Sequence, residues 1–108
     1  MREIPTFIVI NEVMKKVRFA ERESLKRYVK QVCNALSERG IIVPVNFTYY
    51  GERLYSENFD RDLYFLISCG IIIEEMIANN PHLYKIVDDG VRFSETPVEL
   101  IEIMEAWK

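Results

Sequence analysis

At 108 residues the chain is long enough to bury one hydrophobic core and too short for two. Hydrophobic residues make up 49% and charged residues 29%, a balance that excludes a disordered tail, and no apolar run reaches the length needed to cross a bilayer. The net charge of −3 excludes an indiscriminate polyanion binder. Between Lys15 and Lys30, however, seven basic residues face two acidic ones, a local balance of +5 that leaves −8 for the rest.

Arg2 and Glu3 precede a short IPTFIVI segment that lacks the basic start, long apolar middle and small-residue cleavage site of a signal peptide. A cytoplasmic location is therefore expected. After Pro5, the positions Phe7, Ile10, Val13, Met14 and Val17 repeat every three to four residues and predict a first helix over about 6–17. Phe7–Ile10 could alternatively be a strand. Ile8 and Val9 fall off the helical stripe, which leaves them for a second layer or a partner. A second helix is predicted over 21–38, with Leu25, Tyr28, Val29, Val32, Cys33 and Leu36 on its apolar face and Gly40 as its stop. Lys26, Arg27 and Lys30 point away from that face, with Arg22 on its flank.

Pro44 bars a long central strand, and the alternation from Val45 to Tyr50 predicts a short one. The 51–56 segment is read as a turn made possible by Gly51, with Tyr49, Tyr55 and Phe59 filling the angle to the next helix and Glu52 and Arg53 solvated. That third helix is expected over 57–69, burying Phe59, Leu63, Leu66 and Ile67 and exposing Glu57, Arg61, Tyr64 and Ser68. After Gly70 come a β-branched strand at 71–75, a turn at Asn79-Asn80-Pro81 and a return strand at 83–87, with Tyr84 and Ile86 inward and Lys85 outward. Thr96-Pro97-Val98-Glu99 reads as a capping box with proline at the first helical position, launching a last helix to Trp107. The order is helix, helix, strand, helix, hairpin, helix: an α+β chain, mainly α, arranged as a single winged helix-turn-helix domain over 1–108. Cys33 and Cys69 both fall on apolar helical faces and are expected as buried free thiols. The high Ile and Glu content, with Gln31 the only glutamine, fits a thermophile and keeps a disulfide between them open.

The stretch FTYYGERLYSENFDRDLYFLISCGIIIEE followed by YKIVDDG resembles the YwgA-like family of small prokaryotic winged-helix proteins. Phe47, Tyr49, Tyr50, Gly51, Tyr55, Ser56, Asp62, Leu63, Leu66, Gly70 and Ile72 carry the resemblance, which covers about half the chain. Gly51-Glu52-Arg53-Leu54-Tyr55-Ser56 stands where that family has a Gly-Pro-Tyr-Ser form, and the lysine-rich start of the second helix is reduced to Arg22, Lys26 and Arg27. The resemblance implies a helix-turn-helix lineage, often regulatory, and no particular chemistry.

The residues themselves point away from catalysis. His82 is the only histidine and sits beside a turn, where it is read as an exposed wing residue without metal-ligand partners at fitting spacing. No serine has a histidine base, and the glycines at 40, 51, 70 and 90 are isolated, so no phosphate loop exists. No enzyme activity, cofactor or metal is expected. The leading expectation is a DNA-binding regulator that grips double-stranded DNA through Arg22, Lys26, Arg27 and Lys30 of the second helix and Arg61 and Tyr64 of the third, with Lys85 and His82 on the wing. Ile8, Val9, Ile101, Met104 and Trp107 are expected to form a homodimer interface. The alternative is a protein–protein interaction module, adaptor or antitoxin-like, that presents its acidic surface and terminal helix to a protein partner.

Overall fold

A computed structural model describes residues 2–77 and 80–107 of the chain. It is an α+β fold in which four helices account for about half the residues. Helix α1 (Thr6–Val17) starts at Pro5, whose ring pre-sets the backbone for helix entry, and its Phe7 amide donates to Asp62 Oδ2 at 2.9 Å. Arg18 ends it in a positive-φ conformation, the only non-glycine residue described with one, and donates its N–H to Met14 O. The strand alternative for Phe7–Ile10 is not adopted.

The chain then forms a short strand β2 (Phe19–Glu21) and enters α2 (Arg22–Glu38), close to the expected 21–38. Strand β3 (Ile41–Ile42) lies parallel to β1 (Arg2–Glu3), tying the first residues to the end of α2. A hairpin follows, β4 (Thr48–Tyr50) and β5 (Arg53–Tyr55), where a single strand and a turn were expected. Helix α3 (Glu57–Ser68) is capped by Ser56, whose hydroxyl accepts from the Phe59 amide at 3.2 Å. Strands β6 (Ile72–Ile77) and β7 (Asn80–Ile86) pair antiparallel, and β2 joins the far side of β7 to give a three-stranded sheet in the order β2-β7-β6. Asn79 of the expected turn lies outside the described residues. Helix α4 (Val98–Ala106) closes the chain.

The sheet's inner side carries Ala20, Ile72, Tyr84 and Ile86, all buried against the helices, with Lys85 outward as expected. Phe59, Leu63 and Leu66 are fully buried, so the predicted phase of α3 is correct, while Tyr64 and Phe65 are exposed. Among the described residues no helix is long and apolar enough to cross a membrane.

Several expectations are corrected. Ile8 and Val9 are fully buried within the chain and leave no surface for a second copy. The reason is that α1 is surrounded by α2, α3, α4, β2 and β7, so residues off its main stripe also meet protein. Met104 is buried, Ile101 is half-buried, and the Trp107 ring packs edge-on against Tyr28 at 5.3 Å, so α4 spends its apolar side closing the core. The capping box does not form: Pro97 is the cap residue, Thr96 Oγ1 has no partner among the described residues, and Glu99 pairs with Arg2. Tyr49 and Tyr55 are exposed rather than wedged against α3. Phe47 meets Phe59 there instead, with ring centres 5.9 Å apart. Cys33 is half-buried as a free thiol, but Cys69, at the C-cap of α3, is exposed.

Two predictions follow from this packing. Burial pushes the Cys33 thiol up to about 12, whereas Cys69 stands in solvent. Native protein at mildly alkaline pH should release one equivalent of thionitrobenzoate quickly and the second only on unfolding; two fast equivalents would contradict the buried site. Leu63→Ala should cost roughly 2–5 kcal/mol in chemical denaturation, the range for truncating a fully buried leucine.

Candidate interaction site

The hairpin β4–β5 turns on Gly51 and Glu52. Gly51 has φ +64° and Glu52 does not share the positive φ, the sign pattern of a type II′ turn with glycine first. The cross-strand pair Tyr49 and Leu54 faces α2, and Leu54 is buried there. Arg53 lies opposite Tyr50 on the outer side, and the rings of Tyr50 and Tyr55 meet edge-on at 6.0 Å.

The basic side of α2 lies under this hairpin. Lys26, expected in solvent, is only 5% exposed. Its ammonium donates to Leu54 O at 2.8 Å, lies 3.6 Å from Glu23 Oε1 and approaches the Phe59 ring. Arg27 donates to Glu52 O at 3.1 Å, and Lys30 to the Tyr49 hydroxyl at 2.8 Å while its ammonium stands 4.4 Å from that ring's centre. Arg22 pairs with Asp60 of α3 at 2.9 Å. The physical reason is local. A two-stranded hairpin has few partners of its own, and the cations of α2 satisfy its carbonyl and hydroxyl oxygens.

The residues expected to act together are thus divided. Arg22, Lys26, Arg27 and Lys30 share one side of α2 but are bonded within the chain. Arg61 is exposed on α3, with Tyr64 one turn on, and Lys85 lies on the outer side of the sheet.

Beside the hairpin a cleft of about 490 Å³ opens. Tyr50, Arg53 and Tyr55 form one wall; Arg22, Asp60 and His82 contribute from α2, α3 and β7. His82, expected to be merely exposed, places Nδ1 3.5 Å from Glu74 Oε1, too long for a good hydrogen bond. Two buried polar atoms of residues that line this cleft, Arg22 Nε and His82 Nδ1, have no hydrogen-bond partner among the described residues. Burial pushes the Tyr84 hydroxyl well above the ordinary tyrosine range, with Glu74 adding to the effect. Burial acts to lower Arg22, and the combined pull of Tyr84, Asp60 and Tyr64 outweighs it, so the guanidinium stays charged. Buried groups of this kind are normally bonded, so Arg22 and His82 keep unused hydrogen-bonding capacity at the cleft, beside aromatic walls that can cover apolar groups.

Sequence reasoning missed this cleft. Its signals were the tyrosines crowded around Gly51 and the outlying His82, which only the pairing of β5 and β7 with α2 brings together. The chain matches no protein-family model, and searches of curated proteins and of solved structures return no match at a level that marks relatedness.

The Lys30 contact has a spectroscopic consequence. Its hydrogen bond and charge hold the Tyr49 hydroxyl below the ordinary tyrosine range, and Tyr84 lies above it. Tyrosinate absorbance should therefore rise in stages, and Lys30→Met should abolish the earliest one. Because the folded state favours ionised Tyr49, that contribution to stability is present above the unfolded tyrosine range and is lost as pH falls through the Tyr49 transition.

Proposed function

We propose that the chain is a non-catalytic protein–protein interaction module, built as a winged-helix variant, that takes a peptide segment of a partner into the cleft beside the β4–β5 hairpin. The winged-helix reading rests on the order α1, β2, α2, α3, β6, β7 and on the strand order β2-β7-β6, with the β6–β7 hairpin as the wing. The β4–β5 hairpin is then an insertion between the second and third helices.

One observation carries the functional reading: the hairpin covers the cations of α2 and offers tyrosines in their place. Lys26 can reach a phosphate only if Leu54 O and Glu23 are abandoned, whereas Tyr50 is already 68% exposed and Tyr55 stands beside it. Tyrosine brings large contact area at small cost in side-chain entropy and is enriched at protein interfaces. The unbonded Arg22 Nε and His82 Nδ1 at the cleft supply fixed hydrogen-bonding positions for a peptide backbone or side chain. In this setting, partners could include a second protein to which the chain acts as adaptor or antitoxin.

Double-stranded DNA is the second reading, favoured by the exposure of Arg61 and Tyr64 on one side of α3. The two are separated by paired experiments. A displayed random-peptide library panned on the wild-type protein should yield binders that lose about tenfold or more affinity on Tyr50→Ser with Tyr55→Ser, the loss of a central aromatic contact. Duplex DNA at low salt should show no saturable anisotropy change. Saturable binding whose log–log salt slope falls by about 0.9 on Lys30→Ala, together with a library that yields no binders, would establish the DNA reading instead.

A further inference from the structure

A second cleft, of about 440 Å³, opens where the first residues of the chain enter α1. Ile4 and Thr6 line it from the buried side, and Pro5, Phe7 and Pro44 supply apolar walls. Those walls are fixed in advance. The Phe7 ring is held by Phe65 and Phe93, each ring centre 4.9 Å away, and the Pro44 carbonyl accepts from the Asn58 side-chain amide. Two polar groups at the cleft are under-used. Thr6 is 1% exposed, and its hydroxyl has no hydrogen-bond partner among the described residues. Asp62 Oδ2 accepts from the Phe7 amide at 2.9 Å, whereas Oδ1 meets Arg61 Nε at 3.5 Å, too long for a good hydrogen bond. A buried hydroxyl without a partner costs stability, and valine would fill the same space without that cost.

We infer that this cleft binds a free α-amino acid with an apolar side chain. Its volume lies in the range of small-molecule sites. Among the described residues its charged lining is Glu3, Asp62 and Arg61, so both signs are present and carboxylates are in excess. A plain anion is disfavoured, because Asp62 already occupies the positive end of α1. A plain amine would leave Arg61 unused and set a second cation beside it. A zwitterion engages every charged group. Its ammonium takes Asp62 Oδ1 and Thr6 Oγ1 as acceptors, with Glu3 at the mouth adding attraction. Its carboxylate takes the Arg61 guanidinium, whose side chain is 72% exposed and turns readily from its long contact with Asp62. The planar fork of arginine donors matches a carboxylate in geometry as well as charge. The ligand's own side chain then faces Pro5, Phe7 and Pro44, whose side chains have no hydrogen-bonding group, and so an apolar one is selected.

The inference does not depend on the peptide cleft, which shares no lining residue with this one. Amide shifts of the full chain should be followed during titration with L-leucine, L-isoleucine, L-methionine and L-phenylalanine in turn. At least one should give saturable shifts on Ile4, Thr6, Phe7 and Asp62. For that ligand, the analogue without the amine and the analogue without the carboxylate should each bind at least about tenfold more weakly. Arg61→Gln and Thr6→Val should each weaken binding at least about fivefold. Arg61 is exposed, so its variant should keep the wild-type circular dichroism, and Thr6→Val should keep or raise the denaturation midpoint. Four amino acids that fail to bind up to their solubility limits overturn the inference. So does an analogue with a single charge that binds as tightly, a set of shifts gathered at the β4–β5 hairpin, or wild-type affinity in either variant.

Discussion

Helix α1 has no solvent side until its last turn, and the rest of the molecule is arranged around that fact. Thr6 through Met14, Phe7 excepted, are buried, including the polar pair Asn11 and Glu12. A carboxylate that is 3% exposed is costly unless it is paired. Glu12 is held by Arg92 at 2.9 Å and Lys15 at 3.2 Å, while Asn11 and Lys15 both donate to Val91 O. These contacts bind the segment between β7 and α4 across α1, and so fix where α4 can dock. At the other end, Asp62 serves the first turn of α1 and locks α3 to it. A helix in this position cannot also supply an interface, which is why Ile8 and Val9 belong to the core.

The same economy governs the basic segment. Of its seven cations, Lys15, Arg18, Arg22, Lys26, Arg27 and Lys30 all have acceptors within the chain, and those acceptors are spread from Glu12 to Val91. A cluster of like charge in sequence is therefore dispersed into separate pairings in the fold. Exposed pairs such as Arg18 with Asp89 contribute little stability and open readily. Lys26 differs, because an ammonium withdrawn from water and bonded to a backbone carbonyl is expensive to leave unpaired. Hairpin and helix are consequently one unit.

Helices were legible because they are long enough for a 3.6-residue period to declare itself. All four helices begin and end within one residue of the expected bounds, and the burial of Leu63, Leu66, Leu25 and Val29 follows the predicted phase. The short strands were not legible. Arg2–Glu3, Phe19–Glu21 and Arg53–Tyr55 contain too few residues to show alternation, and each exists because a partner strand accepts it. Phase also differs from environment. Periodicity correctly set Lys26 off the apolar stripe of α2, but it carried no information about which element would cover that side.

That distinction explains why the candidate site was the least readable part of the chain. Its members come from β2, α2, the hairpin, α3 and β7, and only long-range pairing brings them together. Tyr84 was correctly expected to face inward, yet its consequence was invisible. An inward tyrosine on β7 opposite Glu74 on β6 puts a hydroxyl and a carboxylate under the start of α2, where Arg22 already faces Asp60. A core built only for stability would favour apolar side chains at those positions, since buried polar groups without partners cost about 1–3 kcal/mol each. Keeping Arg22 Nε and His82 Nδ1 without partners at an open cleft is a local conflict between packing and polarity, and such conflicts concentrate where a protein meets a ligand. The aromatic hairpin above them completes a surface suited to a partner that brings its own hydrogen bonds.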